Sequence, residues 1–451
     1  MIFRLIEQFI AHVWNSFRGQ GKGSPERCQL QIGRLVEEGS TTRKTVGIGQ
    51  IRRATHIALT GTTGSGKSYF IRNIVQQDIE NGNGFALIDQ HGDLWLPTVR
   101  LLAERGFDPA DVILIDPSSR EWAVGLNPLE AADDHSRFLQ VAEMTRTIAD
   151  RWEFKGARTE ELLRYAFFVL SANGLTLVEI PALLTDAGYR TQLVKKVRNV
   201  DVRDYFTLRY DPLSDAMKAT MREPVLNKLS EFIGDPHFRH ILGQRESTFS
   251  FDDVLATGKI VLVSVPKGAL GVHATTFASL VMGKLKAAIF RRQRRQLWSL
   301  FADEFQNLVS ADADFEVLFS ESRKFGIGLC VAHQHGLQLP PKMRSAVQAI
   351  GSRVFFQLSP EDASQVAQEI GGGRAMVERL RNLKARHFIV KSGSQPPQEA
   401  VTPEVYTSKF SAKDFIERSN QLHARRREDV EKDIQARRRP DKVSEAIDDW
   451  D

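Results

Sequence analysis

The sequence predicts an α/β fold: a mainly parallel β-sheet with helices on both faces, interrupted by an all-α insertion. Three observations carry that prediction. Short apolar runs, rich in branched and aromatic residues, recur along the chain. They are continuous rather than alternating, as expected of parallel strands buried on both faces. Segments of helical period lie between them. One block, from about residue 129 to 245, offers helical segments and no convincing strand.

Taken in order, the opening "MIFRLIEQFIAHVWNSFRG" spaces Ile2, Phe3, Ile6, Phe9, Ile10, Val13 and Phe17 on one helical face. Arg4 and Glu7 interrupt a stretch too short for a bilayer span, which takes ~20 apolar residues. A helix packed on its own protein or on a partner is preferred to an interfacial membrane helix. Residues 1–44 therefore read as an amphipathic helix and linker.

Residues 45–128 read as the first part of the α/β core, with strands in "HIALTG", "GFALID" and "DVILID". The helix "GKSYFIRNIVQQDIENG" stops at Asn81-Gly82. "LIDQHGDLW" brings Asp89, His91 and Asp93 to the carboxyl edge of the sheet, where ligands of such sheets bind. A Gly92 turn with Asp93 capping the next helix is preferred to a role around a site. The all-α insertion spans 129–245, with "TEELLRYAFFVLSANG" and "SDAMKATMREPVLNKLSEFIG" as its clearest helices.

The core resumes over 246–405 with "KIVLVSV", "LWSLFADE", "GIGLCVAH", "RVFFQLS" and "ARHFIVKSG". Ser359 and Pro360 start a helix that Gly371 stops. The basic run Arg291 to Arg295 reads as a solvated helix end rather than a nucleic-acid contact. The loop "PKGALGVHA", 266–274, is the better place for contacts with a threaded polymer. The remainder, 406–451, reads as a lone charged helix fraying into a tail.

Composition bounds these readings. The chain has 451 residues, 42% hydrophobic and 26% charged, so it is neither disordered overall nor fibrous. A formal net charge of +5 is compatible with nucleic acid without requiring it. Cys28 and Cys330 are far apart and form neither a metal pattern nor a disulfide framework, which fits a reducing, cytoplasmic compartment.

The chemistry shows first at Gly61-Thr62-Thr63-Gly64-Ser65-Gly66-Lys67-Ser68, a full match to G-x-x-x-x-G-K-[ST] between a strand and a helix. Its backbone N–H groups form an anion nest at a helix N-terminus. Lys67 is expected on the β- and γ-phosphates of ATP, and Ser68 on Mg²⁺. Such a loop needs an acidic partner at a neighbouring strand end. "LWSLFADEFQNL" supplies Asp303 for the magnesium shell and Glu304 to polarise the attacking water. Arg323, before the strand "GIGLCVAH", is either an arginine finger toward a neighbouring subunit or a surface ion-pair residue. Gln334, just after that strand, is either a γ-phosphate sensor or a polar turn residue. Arg353 is the fallback finger, and His333 and His335 lack companions for a metal site.

In order, "TVGIG…HIALTGTTGSGKS", "ALIDQHGDL", "DVILIDPSS…GLNPL", "SLFADEFQNL", "SESRKFGI" and "VAHQH" resemble the HerA/FtsK superfamily of DNA-pumping ATPases. Within it, "NPL" ahead of a helical block and "FDDVLATGKIVLVSVPKG" is most similar to the conjugative coupling ATPases of type IV secretion systems. The resemblance covers about residues 45–405. It implies a RecA-like core, a homo-hexameric ring and ATP-driven movement of DNA, gripped through its phosphates without regard to sequence. It assigns Lys67 and Ser68 to phosphate and magnesium, Asp303 and Glu304 to the acidic pair, Gln334 to the sensor and Arg323 to the intersubunit finger. It also implies a cytoplasmic ATPase, peripheral at the inner membrane if it docks on a membrane-embedded or relaxosome-type protein partner. Coupling proteins usually begin with transmembrane helices, and no such segment of its own is expected here. The alternatives are a same-fold ATPase powering protein export or pilus assembly, a soluble HerA-like DNA-processing translocase, and a nucleotide-gated assembly module.

Overall fold

The computed structural model describes residues 29–152, 154, 156–308 and 315–438. The amphipathic N-terminal helix, Cys28 and the end of the charged tail lie outside them. Among the described residues thirteen strands run in chain order as β1 Gln29–Glu37, β2 Ser40–Gly49, β3 Ile57–Thr60, β4 Phe85–Asp89, β5 Val112–Ile115, β6 Trp122–Ala123 and β7 Ile260–Ser264, then β8 Trp298–Ala302, β9 Ile327–His333, β10 Ser352–Phe355, β11 His387–Ser392, β12 Gln398–Val401 and β13 Arg425–Arg426. Eleven of them form one sheet in the order β2-β1-β12-β11-β10-β3-β9-β8-β4-β7-β5. From β10 to β5 every pairing is parallel, so these strands share one carboxyl edge. β11, β12, β1 and β2 extend the sheet antiparallel.

Two cores explain the continuous apolar runs. Along β5, Val112 and Leu114 face one core while Ile113 and Ile115 face the other. β7 repeats this, with Ile260 and Leu262 opposite Val261 and Val263. One core packs the helices Lys67–Glu80 and Trp95–Glu104 on the sheet. The other packs the helix His273–Arg291 and merges with the α-helical region. A strand covered on both faces has no reason to alternate polar with apolar.

Every regular element among the described residues between 129 and 245 is helical. Asp133, Ser214 and Asp235 accept N-cap hydrogen bonds at the starts of Asp134–Arg151, Asp215–Gly234 and Pro236–Leu242. In the second half of the core, Ser359 caps Pro360–Ile370 and Gly371 ends it at φ +85°, as the sequence predicts. Among the described residues no helix is long and apolar enough to cross a membrane.

Two expectations are corrected. The linker assigned up to residue 44 is largely the β1–β2 hairpin, whose β2 residues are mostly exposed and polar and so carry no buried-strand signature. The C-terminal segment is not a lone fraying helix. Lys413–His423 packs along β5, where Ser419 Oγ donates to the Val112 carbonyl at 2.7 Å. β13 then pairs with β6, and Arg427–Arg438 docks on the α-helical region, burying Val430 and Ile434. The charges on its inner face are partnered, while Glu428, Asp429 and Lys432 stay exposed. Arg239 Nε donates to Glu431 Oε2 at 3.0 Å, and Arg437 Nε donates to Glu179 Oε1 at 3.0 Å. Arg427 donates to the carbonyls of Pro117, Ser119 and Pro236. The segment is a strap joining the sheet to the helical region.

Candidate functional site

The site grows from the carboxyl ends of β3, β8, β9 and β4. Where β3 ends, residues 61–66 turn over the sheet and the helix Lys67–Glu80 starts. The loop is tied on both sides. Gly61 N–H donates to the His333 carbonyl at 3.3 Å, and Thr62 N–H to the Gln357 carbonyl at 2.9 Å. Gly61 has no room for a side chain, since a Cβ there would fall 2.6 Å from the Cβ of Phe356. Gly66 sits at φ +116°, a backbone that side chains rarely adopt. The glycines are therefore required by the turn, and the helix N-terminus they expose favours anions.

Lys67 is buried and its Nζ donates to the carbonyls of Gly61 at 2.7 Å and Thr62 at 3.1 Å. Burial pushes its pKa down, against the pull of Glu304 and Asp303. Ser68 Oγ donates to Asp303 Oδ2 at 2.9 Å. The hydroxyl from the helix and the carboxylate from the end of β8 thus converge. Burial pushes the Asp303 carboxyl up, and the Ser68 hydrogen bond works against it. Two oxygens of this kind, at the start of the phosphate-loop helix, form a hard-cation donor set suited to Mg²⁺.

Glu304 follows Asp303 in a left-handed conformation, φ +51° and ψ +46°. A residue with a side chain pays roughly 1–2 kcal/mol for that backbone. It is held there by its neighbours. Gln90 Nε2 donates to the carbonyls of both Asp303 and Glu304 at 3.2 Å. Gln334 Nε2 donates to Glu304 Oε1 at 2.9 Å, and Gln306 Nε2 donates to Glu304 Oε2. His91 Nε2 lies 3.3 Å from Glu304 Oε1. Burial opposes ionisation of Glu304, but these hydrogen bonds outweigh it and hold the carboxyl below its usual pKa. The adjacent acids are therefore pushed in opposite directions, which suits two different tasks.

Lys67, Ser68, Asp303, Glu304 and Gln334 are thus brought together. Arg323 is not among them. It is exposed on the turn Ser322–Phe325 ahead of β9, at the opposite edge of the sheet. Arg353 lies in β10 and is paired with Glu369. His333 Nε2 is 3.1 Å from Thr60 Oγ1, and His335 Nδ1 is 3.0 Å from Asp362 Oδ2, so both brace the loops around Gln334.

Of the basic run only Arg292 is buried; Arg291, Arg294 and Arg295 are exposed, as the helix-end reading expects. Arg291 pairs with Asp252, and Arg292 is buried against the carbonyls of Leu255, Phe325 and Gln296. The cap of the helix after β4 is Asp89, not Asp93. Its carboxylate accepts from the N–H groups of His91, Gly92, Leu94 and Trp95 at 2.8–3.0 Å. That cap aims Gln90 and His91 at Glu304. Gln90 was missed as a site residue, and His91 was set aside for the turn-and-cap reading, because a strand-end turn carries no period that reveals its neighbours in space.

The fold matches solved structures. The bacterial conjugative coupling protein TrwBΔN70, unbound, aligns with a TM-score of 0.60 at 16% identity, over 88% of this chain and 99% of that one. The plasmid coupling protein TrwB in complex with ADP and Mg²⁺ aligns with a TM-score of 0.56 at 18% identity, over 88% and 98%. VirB4 of Thermoanaerobacter pseudethanolicus aligns with a TM-score of 0.58 at 14% identity, over 86% and 98%. No protein of curated function matches the chain. Residues 42–385 match the family described as the type IV secretion-system coupling protein DNA-binding domain, and the chain belongs to that family.

Proposed function

We propose that this chain is an ATPase that moves DNA in conjugative or type IV secretion transfer, working as a hexameric ring. The observation that carries the reading is the convergence of Ser68, Asp303, Glu304 and Gln334 on the phosphate loop of a coupling-protein chain. ATP with Mg²⁺ is the fuel, as the relative solved with ADP and Mg²⁺ supports.

In this reading the backbone N–H groups of Thr63, Gly64 and Gly66 and the ammonium of Lys67 bind the polyphosphate. Ser68 Oγ and Asp303 would hold Mg²⁺, which would supply charge neutralisation to the phosphates. Glu304 orients the attacking water and takes its proton, and its lowered pKa keeps it ionised for that task. Gln334 hydrogen-bonds the Glu304 carboxylate, so a shift of β9 reaches the acid directly. The DNA grip is sequence-independent, through phosphates. The segment 266–274, which the structure folds into the short helix Lys267–Leu270 and the start of the helix His273–Arg291, supports this reading because β7 leads it off at the same edge as Glu304. In this reading contact with the inner membrane is peripheral, through a protein partner.

The test is ATPase rate against added single- and double-stranded DNA at several salt concentrations, with sizing in parallel. Stimulation that weakens as salt rises, together with ring assembly, is the expected result. Hydrolysis indifferent to DNA points instead to protein export or pilus assembly, and a monomer without turnover overturns the ATPase reading. Glu304→Gln is expected to keep ATP binding while hydrolysis falls ~10²–10⁴-fold, the range for losing a general base. Retained radiolabelled ATP on filters, beside near-absent phosphate release, checks it.

A further inference from the structure

Arg386 stands on the turn before β11 with φ +68°. A non-glycine residue keeps such a backbone only where its surroundings over-determine it. Here the surroundings are the phosphate loop. Arg386 N–H donates to the Ser65 carbonyl at 2.9 Å, and its own carbonyl accepts from Thr402 N–H at 3.0 Å. Its backbone closes on Gly66 so tightly that a Cβ there would meet Arg386 N and Cα at 2.9 Å. β11 runs antiparallel to β10, so its amino end falls at the carboxyl edge of the parallel strands, beside the loop.

The side chain is placed as pointedly as the backbone. Its guanidinium lies 5.2 Å from the ring centroid of Tyr69, and Nη1 is 3.4 Å from Tyr69 Oη. Tyr69 follows Ser68 directly, and its hydroxyl is fixed by the N–H of Val405 at 2.8 Å. Among the described residues no carboxylate pairs with Arg386. An uncompensated guanidinium, stacked on an aromatic ring at the start of the phosphate-loop helix, is built to take an anion.

We propose that Arg386 binds the nucleotide in cis, its guanidinium on the α-phosphate. The inference rests on the ATPase reading. Lys67 and Ser68 serve the β- and γ-phosphates, and Tyr69 carries the guanidinium one residue further along the helix. Arg386 therefore contributes to the affinity for ATP and ADP alike, unlike a finger, which acts on turnover.

The backbone supplies a clean test, because glycine adopts this φ without strain. Arg386→Gly removes the guanidinium and relaxes the turn together. The expected result is a Tm no lower than that of the parent, with fluorescent ATP and ADP analogues both binding about tenfold more weakly, the scale of one charge-assisted hydrogen bond. Arg386→Lys, which keeps charge without the fork, falls between. If Arg386→Gly lowers the Tm, Arg386→Asn gives the same readout, since Asn tolerates this region. Parental affinity for both nucleotides in a folded variant overturns the proposal. Loss confined to ATP overturns the α-phosphate assignment, and a parent chain that binds neither nucleotide overturns the ATPase reading beneath it.

Discussion

Lys67→Ala is expected to leave the protein folded and to lower ATP turnover by at least ~10²–10³-fold, the effect of removing one preorganised donor from developing charge. The ammonium is the cation facing two acids on a neighbouring strand, Asp303 and Glu304, whose charges support it against burial. Without it, phosphate charge brought to the loop meets both carboxylates unscreened. The fold is spared because the lysine hydrogen-bonds loop carbonyls, those of Gly61 and Thr62, rather than a buried carboxylate. The helix it opens is held by Phe70, Ile71 and Ile74 in the core. Phosphate release, nucleotide binding and thermal melting, measured on one preparation, separate the outcomes. Lys67→Ala loses binding as well as turnover, whereas Glu304→Gln keeps binding. A Lys67→Ala protein turning over near the parental rate would remove the phosphate loop from the chemistry.

The contrast between those variants also shows what could be read from sequence. Lys67, Ser68, Asp303 and Glu304 were legible because each sits where a continuous apolar strand ends or a glycine-rich turn begins. Such strands betray themselves when both faces are buried, as Ile113 and Leu114 show on opposite sides of one sheet. β2 escaped because residues such as Thr41, Arg43 and Lys44 are partly or fully exposed along it. The C-terminal strap escaped for a related reason. Glu431 reads as a solvated charge in sequence, yet Arg239 and His240 both hydrogen-bond it across the interface. The αL backbone of Glu304 left no trace in the sequence, since the Gln90 amide that holds it comes from a different strand. Asp89 took the capping role expected of Asp93 because its carboxylate, fixed at the end of β4, reaches four N–H groups at once.

Arg323→Ala is expected to lower turnover by ~10³–10⁵-fold, the worth of an arginine finger in phosphoryl transfer, while leaving nucleotide affinity near the parental value. The geometry makes that a statement about two subunits. β9, seven residues long and paired parallel with β3 over its last four, runs from just beyond Arg323 to the phosphate-loop edge. At about 3.3 Å per residue, roughly 20 Å separates Arg323 from its own site. Its neighbour is instead His56, at the amino end of β3. Burial and then the Arg323 charge lower His56 to a pKa of about 4, against its hydrogen bond to the Phe319 carbonyl. An exposed guanidinium on the far edge serves catalysis only by entering the next subunit's site, as a head-to-tail ring interface allows. Mixing therefore tells the roles apart. Arg323→Ala subunits keep an intact phosphate loop, and Lys67→Ala subunits keep an intact Arg323. In an equal mixture about a quarter of the interfaces in a ring join the one to the other. Activity should return there although neither variant turns over alone. Arg323→Lys should restore little, because an ammonium lacks the planar fork that grips phosphate oxygens. If mixed assemblies form, as sizing with two distinguishable tags would show, and recover nothing, Arg323 is a surface residue and the stimulating cation must be sought elsewhere.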